Sequence, residues 1–531
     1  MRRPESRVNR RTRVWTWPVV PLVIGLACTL SWSSPAGADT SRPGLGGAID
    51  TILDDPSLKG GAAGVVVADA GSGAVLYRHR PDDRLMPASN TKLLTSAAAM
   101  GVLGPDHRFR TDVLTDGTRH GRTLRGDLYL RGTGDPTLLA ADYERLAEAV
   151  ADAGIRRVTG RLVADDTRFD DQRVGRSWAA DDESSYYAAQ ISALSVAPDT
   201  DYDAGSVIVE TTPGARPGTR PTVAVTPRTP YARVVNHATT GAAGSGSTLT
   251  VERGHGSNTL TLGGSVPAGA AAAKEWVSVW EPTGHAAAVF ADALARHGVR
   301  VAGDTRLGRA TPDGARPLAA HRSMPLKRLL VPFMKLSNNI HAEVLTKAIG
   351  YETAGRGTWT AGLAGVSDWL KKQGVDVGTL RQVDGSGLSR MDNVTAGHFT
   401  ELLLSVRRRP WYADWYAALP VACDPDRLIG GTLRTRMCGT PAAGNARGKT
   451  GSLTGASALS GYVTDADGRE LVYSVVLNNY LVPSVKRLED AIVVTLAKSG
   501  ADGTETVRPR PAPRSARSPA LECAWTKPHT C

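Results

Sequence analysis

The chain has 531 residues, 41% of them apolar and 22% charged, with 57 Gly and 32 Pro. This is a globular composition, which excludes collagen-like and wholly disordered classes, and the length suits about three or four domains or one domain with large insertions. The net charge of +11 falls to +6 without residues 1–38, a mild excess that calls for no nucleic acid and is compatible with an anionic partner such as a bacterial wall.

In chain order, residues 1–38 read as a secretory signal peptide. Six Arg and one Glu lie in the first 13 residues, an uncharged apolar stretch follows Val14, and Ala36-Gly37-Ala38 supplies a small-x-small cleavage site. A retained anchor is the alternative, which Pro18 and Pro21 disfavour. No later window holds about 18 uncharged apolar residues, so any membrane association is expected to be at most peripheral.

Short β-type runs at 64–68 and 74–78 flank Asp69-Ala-Gly-Ser-Gly73 and predict a hairpin. Pro87 and Ser89 then mark a helix start before an apolar run. Residues 204–270 are rich in Thr, Val, Gly and Pro and predict a β-rich inserted module. Helices are expected at 286–297 and 341–349. A second hairpin is expected from 458–464 and 470–478, followed by a helix over 484–498. The Pro/Arg-rich tail, 501–531, is expected to be disordered. Four cysteines remain after the leader: Cys423, Cys438, Cys523 and Cys531. An even number suits disulfides in an exported protein, with Cys423–Cys438 and Cys523–Cys531 the simplest of three connectivities. The 11 His are scattered and no CxxC or HExxH occurs, so no metal site is expected.

Three short motifs carry chemistry. In Ser89-Asn90-Thr91-Lys92 the serine and lysine are three apart, one helical turn from each other on one face. A serine hydroxyl becomes a nucleophile when a base takes its proton, and a lysine serves as that base when burial or nearby cations favour its neutral form. In Ser337-Asn338-Asn339 a second hydroxyl can relay a proton to a leaving amine, and the amide of Asn339 can fix a peptide-like substrate. In Lys449-Thr450-Gly451, followed by Ser452, the cation and hydroxyl suit a carboxylate. Gly451 permits close approach to a strand, and the Ser452 N–H can face a substrate carbonyl.

Each motif alone is common; their order is not. Ser-x-x-Lys, Ser-x-Asn and Lys-Thr-Gly, the last on a predicted C-terminal strand, resemble the penicillin-recognising serine enzymes. Further runs narrow this to the class C, low-molecular-mass penicillin-binding proteins, the D-alanyl-D-alanine carboxypeptidases/endopeptidases of actinobacterial type. They include Gly134-Asp135-Pro136-Thr137, Gln190-Ile191-Ser192-Ala193-Leu194, Val331-Pro-Phe-Met-Lys335, Asp384-Gly-Ser-Gly-Leu-Ser-Arg390 and Gly430-Gly-Thr-Leu433.

The resemblance implies an α/β (α+β) fold: a β-lactamase/transpeptidase-like domain with an antiparallel sheet flanked by helices, formed from 39–108 and 321–500. Two smaller domains, one nested in the other, would fill 109–320, since Ser89 and Ser337 are 248 residues apart. It also implies cleavage of the terminal D-Ala-D-Ala bond of peptidoglycan stem peptides, without a cofactor, and covalent inhibition by β-lactams. Ser89 would be the nucleophile and Lys92 its base, with Ser337 and Lys449 passing the proton, Asn339 holding the amide, and Thr450, Gly451 and Ser452 binding substrate. Asp181, Tyr186, Leu388 and Arg390 would read the distal end of the stem peptide, Asp181 by pairing with a free amine. The rivals are a β-lactamase-like hydrolase, which the long insertion disfavours, and a non-catalytic penicillin-sensing or wall-binding protein, which has no need of all three intact motifs.

Overall fold

The computed structural model describes residues 44–511. The signal-peptide reading, the Cys523–Cys531 pairing and residues 512–531 of the tail lie outside the described residues. No described helix is long and apolar enough to cross a membrane.

The two predicted hairpins meet in one five-stranded antiparallel sheet. Its order is Val75–His79, Ala62–Asp69, Glu470–Asn478, Ala456–Thr464, Arg447–Leu453. Val65 stands opposite Val475, and Val475 opposite Leu459. Because strand side chains alternate between faces, these runs divide their apolar residues between two cores. Val65, Val67, Leu459, Val475 and Leu477 pack against the helices Leu45–Leu53 and Lys486–Lys498. Ala458, Tyr462, Val472 and Val476 face the opposite layer, with Leu93, Ala97, Phe333, Leu345 and Phe399. Burial on both faces explains the near-continuous apolar character of Glu470–Asn478.

Between the helices Thr91–Val102 and Leu326–Lys335 the chain leaves this body and returns. It leaves on the strand Arg110–Thr115 and comes back on Arg316–Arg322, which pair antiparallel with Arg110 opposite Arg322. This pairing holds Arg110 and Arg322, 212 residues apart in the chain, side by side. These two strands are part of a five-stranded sheet with Leu128–Gly132, Leu162–Asp165 and Thr305–Leu307. The helices Ala140–Asp152 and Pro282–Arg296 cover it around Tyr143, Leu146, Phe290 and Leu294. Within this insertion, strands from Ser206–Thr212 to Ala273–Ser278 form three small sheets with their own core of Val207, Val209, Leu260, Leu262 and Val277.

The disulfide Cys423–Cys438, Cα atoms 5.0 Å apart, closes the loop preceding the last three strands. The described residues of the tail, 501–511, are mostly without regular structure. Val507 packs on the core beside Lys486–Lys498, and Arg510 Nη2 donates to the Cys438 carbonyl at 3.3 Å.

Candidate active site

The three motifs arrive on three separate segments. Ser89 lies in a single 3₁₀ turn, Ala88–Asn90, that feeds directly into the helix Thr91–Val102. Asn90 Nδ2 ties this turn to the sheet by donating to Ser460 Oγ at 2.7 Å. Lys92, on the first turn, is fully buried. Its Nζ donates to Ser89 Oγ at 2.9 Å, Asn339 Oδ1 at 2.7 Å and the Ser386 carbonyl at 2.8 Å, three uncharged acceptors.

Ser337 sits in the turn between Leu326–Lys335 and the helix Asn339–Ala354 with φ of 58°, the left-handed region that costs an L-residue about 1–2 kcal/mol. That conformation turns its Oγ toward Lys449, whose Nζ donates to it at 2.8 Å. Asn339 opens the following helix, and both ends of its amide are engaged. Oδ1 meets Lys92, and Nδ2 donates to the Tyr187 carbonyl at 2.8 Å. Asn338, the middle residue, is a brace. Its side chain caps the helix by accepting from the His341 N–H at 3.2 Å and donates to Asp203 Oδ1 at 3.0 Å, tying the motif to the insertion.

The third motif lies on the edge strand Arg447–Leu453. Thr450 Oγ1 donates to Thr432 Oγ1 at 2.7 Å, within the disulfide-closed loop. Gly451 passes against the nucleophile's turn. A Cβ there would lie 2.6 Å from the Pro87 carbonyl oxygen and 3.1 Å from the Ser89 nitrogen. The Ser452 hydroxyl is buried without a hydrogen-bond partner among the described residues.

One cavity of about 300 Å³ joins these groups: Ser89, Ser337, Asn339 and Ser452 line it, and so do Asp181, Tyr186, Leu388 and Arg390. Lys92, Lys449, Thr450 and Gly451 stand behind the lining. Arg390 Nη1 donates to the Thr454 carbonyl at 3.0 Å, so it braces the cavity wall as well as facing it. Asp181 lies in the 3₁₀ turn Ala180–Asp182 of the insertion, which therefore forms part of the wall.

Sequence reasoning passed over several residues at the site. Arg427 enters the cavity from the disulfide loop and grips Asp201 with two bonds, 2.5 and 2.7 Å. Thr432 orients Thr450, and Ser386 supplies the third acceptor for Lys92. Thr432 and Ser386 fall inside runs that the resemblance had already marked, but only the folded chain shows what they touch. Lys335, in another such run, lies away from the cavity. Burial lowers its amine to about 7, and it donates to the Leu419 and Ile429 carbonyls beneath the disulfide loop. Asp199, Asp201 and Asp203 bring carboxylates within cation-binding distance of one another. Arg427 pairs with Asp201 and Asn338 donates to Asp203, which answers that charge within the protein.

An antiparallel sheet with helices on both faces, holding two serine–lysine pairs at one cavity, defines the class as that of the penicillin-recognising serine peptidases. Residues 45–499 match the D-Ala-D-Ala carboxypeptidase 3 (S13) family. The chain is 45% identical over 525 residues to a D-alanyl-D-alanine carboxypeptidase of an Actinomadura species, covering 98% of this chain and 96% of the relative. It is 29% identical to the carboxypeptidase DacB of Mycolicibacterium smegmatis, covering 87% and 85%. The crystal structure of penicillin binding protein 4 from Haemophilus influenzae superposes with a TM-score of 0.72 at 24% identity, covering 82% of this chain and 94% of that one. The chain belongs to the D-Ala-D-Ala carboxypeptidase 3 (S13) family and is a serine-type peptidase of that kind.

Proposed function

We propose that the protein acts outside the cytoplasm, after loss of residues 1–38, and removes the terminal D-Ala from peptidoglycan stem peptides through an acyl-enzyme on Ser89. The observation that carries this reading is the pair of lysine–serine contacts, Lys92–Ser89 and Lys449–Ser337, both lysines buried, at one cavity. A nucleophile needs a base beside it, and a leaving amine needs a proton donor. The two pairs suit those two tasks.

In the proposed reaction Lys92, as the neutral amine, takes the Ser89 proton while Oγ attacks the penultimate D-Ala carbonyl. A buried amine loses the water that stabilises its charge, and as the neutral form it keeps two N–H bonds for Asn339 and Ser386 while its lone pair faces the Ser89 hydroxyl. The oxyanion faces the backbone N–H groups of Ser89 and Ser452, which the missing side chain of Gly451 lets approach each other. As the C–N bond breaks, Ser337 passes a proton to the departing D-Ala amine and is resupplied from Lys449. The substrate carboxylate meets Thr450, the charge of Lys449 and the unpartnered hydroxyl of Ser452. Asn339 Nδ2 carries a second hydrogen beyond the one given to Tyr187 and can meet the substrate amide. Water, in the place the amine has left, attacks the ester and gives a proton through Ser337 to Lys449, while Lys92 returns the proton it holds to the departing Ser89 Oγ, so both pairs are restored. β-Lactams acylate the same serine, and cross-linked peptides, whose leaving group is longer, use the same chemistry. At the distal end Asp181 pairs with a free amine, with Tyr186, Leu388 and Arg390 around it. The same reading divides the chain into a peptidase body, 39–108 with 321–500, and an insertion, 109–320.

The test is intact mass of the mature protein mixed with benzylpenicillin and followed over hours. A lasting adduct that is absent in Ser89→Ala supports the proposal. An adduct lost within seconds while the drug is consumed indicates a β-lactamase, and no adduct at any time indicates a binding protein without this chemistry.

A further inference from the structure

Glu343 follows the second motif, Ser337-Asn338-Asn339, on the helix Asn339–Ala354, yet no step above uses it. It lies one turn beyond Asn339 on the same helix and is fully buried. Its carboxylate is crowded with donors. Oε1 accepts from the Ser386 N–H at 2.8 Å, and Oε2 accepts from the Gly385 N–H at 2.8 Å and from Trp359 Nε1 at 2.7 Å. The carbonyls of the same two residues point the other way, into the nucleophile's helix. Gly385 O accepts from Thr95 Oγ1 at 2.7 Å and Ser386 O accepts from Lys92 Nζ at 2.8 Å. A Cβ on Gly385 would lie 2.7 Å from the Ala342 carbonyl oxygen, so this turn fits tightly on the helix that carries Glu343.

Resting on the reading of Lys92 as the base, we propose that ionised Glu343 is the positioning residue for that base. By holding the N–H groups of Gly385 and Ser386, it aims the Ser386 carbonyl at Lys92 Nζ and keeps the amine on Ser89. The helix Asn339–Ala354 thus grips Lys92 twice, directly through Asn339 and indirectly through Glu343 and the 385–386 turn.

The clamp depends on charge. A carboxylate accepts all three N–H bonds with its charge strengthening each; protonation removes that charge and turns one of its oxygens into a donor among donors, which weakens its hold on the two turn N–H groups. Burial, and secondarily the Asp384 carboxylate, push Glu343 up to about 7. The other charged groups around it are Asp392, which burial and Asp384 also push upward, and Lys347, one turn further along the helix and paired with Asp170. Protonation of Glu343 on going from pH 8.5 to pH 5.5 is therefore expected to loosen the hold on Lys92.

Glu343→Gln tests this, because it keeps the shape and imitates the protonated state at every pH. The readout is the benzylpenicillin acylation rate constant from pH 5.5 to 8.5, followed by intact mass and normalised to the fraction finally labelled. That normalisation removes any loss of folded protein. The expected result is a deficit of about tenfold or more at pH 8.5, shrinking toward none at pH 5.5. A deficit constant across pH, or no deficit, overturns the proposal while leaving Ser89 labelling in the wild type intact. If the wild type is not labelled at all, the reading of Lys92 and Ser89 fails first. Should Glu343→Gln not fold, Thr95→Val loosens the same turn from its carbonyl side. It is expected to lower the rate severalfold, and a wild-type rate refutes the clamp.

Discussion

Replacing Gly451 by Ala tests the fit between the edge strand and the nucleophile's turn. The added Cβ would stand 2.6 Å from the Pro87 carbonyl oxygen and 3.1 Å from the nitrogens of Ser89 and Asn90. Carbon meets a carbonyl oxygen comfortably at about 3.3 Å or more, so the strand and turn must part by about 0.7 Å. All the opposing atoms are backbone, and Asn90 is anchored to Ser460, so no side chain can swing aside. Thr450 and Ser452 ride on that strand, and the displacement moves the carboxylate site and one oxyanion donor together. A misplacement near 1 Å costs about 100-fold in rate, roughly 2.7 kcal/mol in the barrier, while overpacking costs about 1–3 kcal/mol in stability. Gly451→Ala is expected to fold, melt several degrees lower and acylate with benzylpenicillin about 100-fold more slowly. Gly47→Ala is the control. That glycine lies on an exposed helix face with nothing within 4 Å of the added atom, and the change should leave acylation alone and slightly raise stability. Acylation by Gly451→Ala within threefold of wild type, with an unchanged melting temperature, would refute the argument.

Asp181→Asn should weaken hydrolysis of peptides bearing a distal free amine by about tenfold or more, the worth of a charged hydrogen bond, and spare substrates without one; equal losses on both would remove Asp181 from recognition. Thr432→Val removes the partner that orients Thr450 and is expected to raise KM for peptides with a free terminal carboxylate about fivefold, from a hydrogen bond of about 1 kcal/mol, with kcat little changed. Steady-state kinetics on a tripeptide ending in D-Ala-D-Ala checks it. Asp55 is held at about 2, chiefly by its hydrogen bond to Arg487. A carboxyl lowered on folding stabilises above its unfolded value near 4 and loses that contribution as pH falls toward 2. Asp55→Asn should therefore lower the melting temperature at pH 7, and the deficit should shrink as pH drops below about 4.

Local signals located the elements well, because the physics that sets them is local. The strand runs at 458–464 and 470–478 carry β-branched residues interrupted by Asp465-Ala-Asp-Gly468, and they fold as Ala456–Thr464 and Glu470–Asn478. The helix expected over 341–349 runs Asn339–Ala354, since Asn338 caps its start by accepting from the His341 N–H and Gly355, in the left-handed region, ends it. The expected bridge Cys423–Cys438 is present.

Of the site, the sequence by itself determined the chemical parts: two serine–lysine pairs, an asparagine and a glycine-bearing strand, in an order that marks the family. Those choices are legible because chemistry demands particular side chains at short, fixed spacings. The pairing of Lys92 with Asn339 and Ser386, the placement of Arg427 and Asp181 on one cavity, and the position of Glu343 behind Lys92 were decided only in three dimensions. Each joins segments far apart in the chain, and such contacts arise from the packing of helices, sheet and insertion against one another. No short run of residues encodes that packing.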